Sequence, residues 1–372
     1  MASSRHVIVC GAGVMGAAVA YYLTRRGVGV TVVERTGVAC AASGKSGGFL
    51  ALDWCDGSPV GPLARLSFAL HAALSKELGA DYGYRRMDTY MLAAREQGRV
   101  AGGHRIPSAP GWIDGPAVVA ERLGSTETTA QVHPARFTTA LVDAARARGA
   151  TLRMGVVERV TSQEQGGASV TVDGETLPAD AIVLAMGPWT GRVRGVALPR
   201  IHGLKGYSVT LAAPDVPAHA LFMDYRLADG RALEPEIMPR PDGTVYVCGM
   251  ADLQPLPDSA EGVEVSDAGC AMLAGAAGRV SAALAAAPIE RRQACYRPVT
   301  DDGVPLIGRV PGAPGVYIAT GHGPWGMLNA PGTGLALAEL IVDGTARSLD
   351  LDAFDPARLR SAGRIARGGP HA

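Results

Sequence analysis

Residues 6–34 read HVIVCGAGVMGAAVAYYLTRRGVGVTVVE. His6-Val7-Ile8-Val9-Cys10 is a short β-branched run, the texture of a strand buried on both faces. Glycines follow, then a helical stretch Ala17–Arg26 that stops at Gly27, then a second strand Val30–Val33. The unit is β-α-β and about 30 residues long, the usual length for such a unit. Its turn, Gly11-Ala12-Gly13-Val14-Met15-Gly16, is GxGxxG, and an acid, Glu34, ends the second strand. Gly11 makes the tight turn, Gly13 admits a pyrophosphate to the backbone, and Gly16 lets helix and strand pack closely. The helix N-terminus stabilises phosphate charge. Glu34 accepts hydrogen bonds from a ribose hydroxyl and repels a 2′-phosphate. The ligand is therefore FAD or NAD and not NADP.

The rest of the chain widens this picture. It has 372 residues, a length for two or three domains. Its 35 basic and 35 acidic side chains cancel, which argues against a nucleic-acid or membrane-surface binder. The 49 glycines and 25 prolines interleave with apolar runs, as in a loop-rich globular enzyme. Only Lys45, Lys76 and Lys205 are lysines. Six cysteines show no CxxC pair, against a zinc site or a disulfide framework, so no metal is expected. The first strand begins almost at once, no apolar run has transmembrane length, and a reducing, cytoplasmic setting is the expectation.

Helices are expected at Leu63–Leu78, 134–148, Ala268–Ala287 and Pro331–Val342. Strands are expected at Thr89–Ala94, Val156–Val160, Ser169–Val172, Ala181–Ala185 and Val316–Thr320. Tyr207–Leu211, Glu236–Pro239 and Val245–Gly249 read as antiparallel strands. Parallel-sheet texture returns at both ends, so the expected class is α/β: a discontinuous Rossmann-like domain with an inserted mixed or antiparallel sheet. Segments 1–85, 134–200 and 297–356 are assigned to the dinucleotide domain, 86–133 and 201–296 to a substrate domain, and 357–372 to a flexible tail.

Three more segments choose between the cofactors. They are Ala41-Ala42-Ser43-Gly44-Lys45-Ser46-Gly47-Gly48, Ala185-Met186-Gly187-Pro188-Trp189-Thr190, and Asp301–Gly308 continuing to Ala319-Thr320-Gly321-His322-Gly323. Together with the fingerprint they resemble the FAD-dependent family of D-amino-acid oxidase, glycine oxidase and monomeric sarcosine oxidase, over nearly the whole chain. The resemblance implies FAD at the interface of two domains. It implies oxidation of an amine or amino-acid C–N bond by hydride transfer to flavin, with oxygen reduced to peroxide. A dehydrogenase using another carrier and a non-catalytic flavoprotein are the alternatives. Expected cofactor residues are Gly11, Ala12, Gly13, Val14, Met15, Gly16, Glu34, Arg35, Ser43, Gly47, Gly48, Gly187 and Trp189. Val157 is expected to meet the adenine side through its backbone. Gly321, His322, Gly323, Gly326, Met327 and Leu328 are expected at the N1/C2 edge of the flavin, where N–H groups and a helix end stabilise the reduced anion.

Arg297 matches the family arginine that pairs with a substrate carboxylate, a task suited to its planar fork; a surface ion pair is the competing role. In the loop occupied here by Pro324-Trp325, glycine oxidase has an arginine and sarcosine oxidase a lysine, so simple glycine and sarcosine are disfavoured. Trp325 is either an aromatic wall or interdomain packing. Tyr207 and Met238 lie on strands expected to roof the pocket, with a plain core role for each as the safer reading. Cys295 aligns with a cysteine that bonds the flavin covalently in sarcosine oxidase; a buried free thiol is slightly preferred. Lys45 and Lys205 are candidate cations near the flavin, and His322 is expected to make a structural hydrogen bond. Oligomeric state is left open.

Overall fold

A computed structural model describes residues 5–101, 105–163 and 166–359. Six strands form one sheet in the order Leu306–Arg309, Val316–Thr320, Ala181–Leu184, His6–Cys10, Gly29–Glu34, Thr151–Met154. All neighbours are parallel except the first pair. The β-branched reading of the first strand holds: Val7, Ile8, Val9 and Cys10 are buried on both faces. Burying each such side chain contributes about 1.5–3 kcal/mol. The helices Val14–Arg25, Gly61–Glu77, Pro134–Arg146 and Gly326–Asp343 cover one face. A three-stranded antiparallel sheet, Val157–Ser162, Ala168–Val172 and Glu175–Ala179, covers the other. The chain reverses its winding direction at His6–Cys10, the kind of switch point where open α/β sheets bind ligands.

A mixed sheet carries the second layer. Its main path runs Ile289–Thr300, Ile201–Ala212, Thr244–Asp252, Glu236–Pro239, His219–Arg226, Asp88–Arg95, Val118–Gly124. Its outer face packs on Asp267–Gly278 and Ala282–Ala286. The opposite face looks into a cleft shared with the parallel sheet. Thr129–Gln131 leaves the mixed sheet and pairs with Phe49–Ala51 and Arg85–Arg86. No helix among the described residues is long and apolar enough to cross a membrane.

Two helix expectations need correction. Ala268–Ala287 is not one helix but two, because tertiary bonds claim the backbone between them. Gly115 and Ala117 donate N–H bonds to the carbonyls of Val280 and Arg279, and the Ser281 hydroxyl starts a new helix by accepting from Leu284 N. The last helix begins at Gly326, not Pro331, so Pro331 lies inside it. Proline lacks the N–H that would bond the carbonyl four residues back. That carbonyl belongs to Met327, and His71 Nε2 on the Gly61–Glu77 helix reaches it at 3.0 Å. Ser67, one turn earlier, accepts from Gly332 N at 3.1 Å and donates to Asn329 O at 3.3 Å. One helix thus repairs the ladder that proline interrupts in another. Of the 357–372 tail expected to be flexible, residues 357 and 358 complete a short 3-10 turn begun at Pro356, with Arg358 paired to Asp302, and residues 360–372 lie outside the described residues.

Candidate active site

The cleft runs from the ends of Gly29–Glu34 and Gly155–Val157 to the mixed sheet. At its outer end two fingerprint glycines leave no room for a side chain. Gly11 has φ +106°, and a Cβ there would lie 2.6 Å from the Ala185 carbonyl oxygen. A Cβ on Gly16 would lie 1.9 Å from the Gly11 carbonyl oxygen. The first helix begins at Val14, three residues earlier than expected, and its N-terminus faces the cleft with Gly13, Val14 and Met15. Ser43 Oγ accepts from Val14 N at 2.9 Å, tying the second glycine-rich loop to that helix end.

Glu34 is fixed by backbone donors. Its carboxylate accepts from Ala12 N at 2.7 Å, Thr36 N at 2.9 Å and Gly37 N at 3.3 Å. A carboxylate has about four lone-pair sites, so acceptor capacity remains for a ribose hydroxyl. Arg35, Val157, Gly187 and Trp189 also line the cleft. Arg35 and Trp189 donate to the carbonyls of Asp258 and Pro257, and Arg192 reaches Leu256 O and the Asp258 carboxylate. These bonds hold the 256–258 loop of the mixed-sheet layer over the outer end of the cleft. Ala12, Gly16, Gly48, Gly321 and Leu328 do not line it. They shape it from behind; Gly48, at φ +74°, makes room for the Val132 carbonyl, and Gly321 for Thr300.

The inner end is walled by the mixed sheet. Arg297 lines it, and among the described residues its guanidinium makes no ion pair and no hydrogen bond. Gly206 leaves space for it: a Cβ there would lie 3.4 Å from Arg297 Nη2. Cys295 is on the same wall, its thiol pushed up by burial while Arg297 and Lys45 pull the other way. Lys45 lines the cleft and donates to Ala294 O at 3.2 Å; Lys205 does not line it and lies over the Tyr207 ring. Tyr207 is among the residues lining the cleft and also packs in the core, its hydroxyl donating to Asp252, 3.1 Å away. Met238 is fully buried against Tyr246. Trp325 is not a lining residue; its ring meets Trp54 edge-on at 6.3 Å, and Trp54 joins Phe49 and Phe222 in an aromatic cluster.

His322 departs from expectation. It lines the cleft, is 4% exposed, and both ring nitrogens lack a hydrogen-bond partner. Burial pushes its pKa down to about 3, so it is neutral at physiological pH. Beside it the Gly326–Asp343 helix presents its N-terminus, with Gly326 and Met327 lining the cleft. Because this helix starts five residues before Pro331, its positive end sits at the wall and not behind it.

These features fit FAD. A cradle too tight for any Cβ faces the pyrophosphate position, Glu34 keeps acceptor capacity that a ribose hydroxyl would fit, and the unpartnered ring of His322 and hydroxyl of Ser46 offer polar contacts at the inner end. Among the described residues no cluster of three His, Cys, Asp or Glu is placed to hold a metal. The residue that sequence reasoning passed over is Glu236. It lies two positions before Met238 on one strand, so period-two alternation puts it on the same face, and it lines the inner cleft beside Cys248. A bulge between Tyr207 and Ser208, opposite Gly249 at φ +141°, brings both Cys248 and Met250 to that wall.

Comparison with known proteins adds four findings. The family model described as FAD dependent oxidoreductase matches residues 6–340. A Schizosaccharomyces pombe protein named as an oxidoreductase is 33% identical over 386 residues, covering 96% of this chain and 99% of its own. Glycine oxidase of Geobacillus kaustophilus is 28% identical over 377 residues, covering 95% of this chain and 96% of its own. Its crystal structure matches with a TM-score of 0.77 at 25% identity, covering 96% of this chain and 100% of that one.

Proposed function

The chain belongs to the FAD-dependent oxidoreductase family, and from that premise we propose that it oxidises the C–N bond of a small amine that carries a carboxylate, yielding an imine and passing the electrons to oxygen as hydrogen peroxide. The observation that carries the reading is Arg297, an unpaired guanidinium at the inner end of a cleft whose outer end fits a dinucleotide. When bound, FAD supplies the two-electron acceptor for the hydride that leaves the carbon next to nitrogen. The residues around it do the rest.

In this reading Arg297 holds the substrate carboxylate bidentately and so orients the reacting carbon. The N-terminus of Gly326–Asp343 and the Lys45 ammonium favour negative charge at the inner wall. His322 stays neutral and adds a donor without adding charge. Segments 1–85, 134–200 and 301–356 carry the cofactor, and 86–133 and 201–300 carry the substrate wall; the boundary expected at 297 moves to 301 because Ile289–Thr300 is one strand of the mixed sheet and carries Arg297. Six free thiols agree with a reducing, cytoplasmic setting. The name of the glycine oxidase relative supports an amino-acid substrate class.

The test is turnover of amino acids against their decarboxylated amines, with peroxide measured. Wild type favours the acids. Arg297→Ala raises KM for the acids at least tenfold, leaves KM for the amines unchanged, and keeps its flavin. An equal effect on both series, or an unchanged KM for the acids, overturns the role of Arg297. Flavin reduction without peroxide in air overturns oxygen as the acceptor.

A further inference from the structure

The inner cleft carries two opposite charges that do not satisfy each other. Arg297 comes from the Ile289–Thr300 strand, and Glu236 from the Glu236–Pro239 strand. They lie in the same cleft and form no direct ion pair. Each also lacks the partners its kind normally has. Glu34 collects three backbone N–H donors, and Glu339 two backbone N–H groups and a hydroxyl. The only hydrogen bond to the Glu236 carboxylate among the described residues comes from the Cys248 thiol, at 3.5 Å. A thiol is a weak donor, so this carboxylate keeps most of its acceptor capacity, and that capacity faces the cleft.

We propose that Glu236 receives the ammonium group of the substrate and takes its proton, so that the pocket binds a zwitterion with its carboxylate on Arg297 and its nitrogen on Glu236. This rests on the reading above that Arg297 takes a substrate carboxylate. The chemistry needs the neutral amine, because a protonated ammonium has no lone pair to drive hydride loss from the neighbouring carbon, and a carboxylate at the nitrogen lets the abundant ammonium form bind and be neutralised in place. In the transfer one N–H bond breaks, its electron pair stays on nitrogen, and an O–H bond forms on Glu236. No electrons change hands, and the net charge of the pair moves from +1 and −1 to zero on both. A low-polarity wall favours that neutralisation.

The surroundings fit the role. Groups facing Glu236 are Arg297 on the same sheet with two strands between them, Cys248 on the paired strand and Glu234 on the approach to its own strand. On its other side the paired residue is Phe222, which is uncharged and leads to the Trp54 and Phe49 rings. Burial raises the carboxyl above the ordinary Glu range while Arg297 pulls it back, so it is a stronger proton acceptor than a surface Glu.

The experiment uses the flavin-loaded protein, with Glu236→Gln and Glu236→Asp. The probes are alanine and phenylalanine, each as both enantiomers, with propionate and 3-phenylpropionate as amine-free counterparts. Binding is read from the shift of the flavin spectrum, and reduction from anaerobic stopped flow between pH 6 and 10. Glu236→Gln keeps its flavin, weakens binding of the amino acids at least tenfold at pH 7, and leaves the amine-free acids unchanged or tighter. Its reduction rate falls at least tenfold at pH 7 and recovers toward pH 10, where the free amino acid loses its own proton. Glu236→Asp retains part of the wild-type rate. Equal losses for both ligand classes, no loss for either, or a deficit that pH does not relieve overturns the proposal. A wild type that binds these amino acids but is reduced by none overturns the oxidation reading; the binding comparison then still decides whether Glu236 holds the nitrogen, and amino acids bound no better than their counterparts count against it.

Discussion

Replacing His71 with Leu tests the repair of the proline-broken helix, and the outcome depends on pH in a way the structure specifies. His71 is fully buried, its Nε2 reaches Met327 O and Leu328 O, and its Nδ1 has no partner. Burial therefore pushes its pKa down to about 4, from 6.5. At pH 8 the variant loses the bond to a carbonyl that Pro331 cannot serve, at about 1–3 kcal/mol. Wild type carries a separate liability. A folded pKa below the unfolded one gives stability that is complete above about pH 6.5 and is lost as pH falls toward about 4. At about 1.36 kcal/mol per unit, the loss from His71 is about 2 kcal/mol by pH 5 and about 3 kcal/mol at its limit. Leucine does not titrate. The gap between the two proteins should thus be widest near pH 8, shrink through pH 6, and close near pH 5. Urea unfolding of both proteins at saturating FAD, followed by circular dichroism at half-unit pH steps, measures it. A gap that stays constant from pH 8 to 5 refutes the assignment of a neutral, bonding His71.

Three further outcomes follow from the same geometry. Gly16→Ala must move the Gly11 carbonyl by about 1 Å to restore contact distance, a strain of about 1–3 kcal/mol or more at the pyrophosphate turn; it should purify colourless, and normal flavin content would contradict the cradle. Cys295 should remain a free thiol, since burial keeps it protonated; after acid precipitation the yellow colour should stay in solution, and colour in the pellet would show a covalent link. Trp189→Ala and Arg192→Ala cut the bonds that hold the 256–258 loop, so FAD should dissociate several-fold faster in each, measured by dilution into apoprotein trap; unchanged dissociation would mean the loop does not cover the cofactor.

What was legible in the sequence was local. The first strand, the fingerprint glycines and Glu34 announce themselves within 30 residues, because turn, helix end and ribose acceptor all lie on one β-α-β unit. What was not legible depends on distant partners. The start of the last helix is masked by Pro331, which reads as a first-turn residue; only His71 and Ser67, more than 250 residues earlier, let the helix run through it. The break in the Ala-rich helix comes from Gly115 and Ala117, which no local pattern reveals. Trp325 reads in the sequence as either an aromatic wall or interdomain packing, and the partner its ring meets, Trp54, is 271 residues away in the chain. Glu236 sits in a four-residue strand, too short for a clear alternation, and its importance comes from Arg297 across the sheet.

The most direct test of the account is the absorption spectrum of the purified protein before and after anaerobic addition of amino acids and amines. It predicts a flavin spectrum that bleaches with at least one amino acid and recovers its colour, with stoichiometric peroxide, when air is admitted. A colourless protein that takes up no FAD, or a bound flavin that no amine or amino acid reduces, would contradict it.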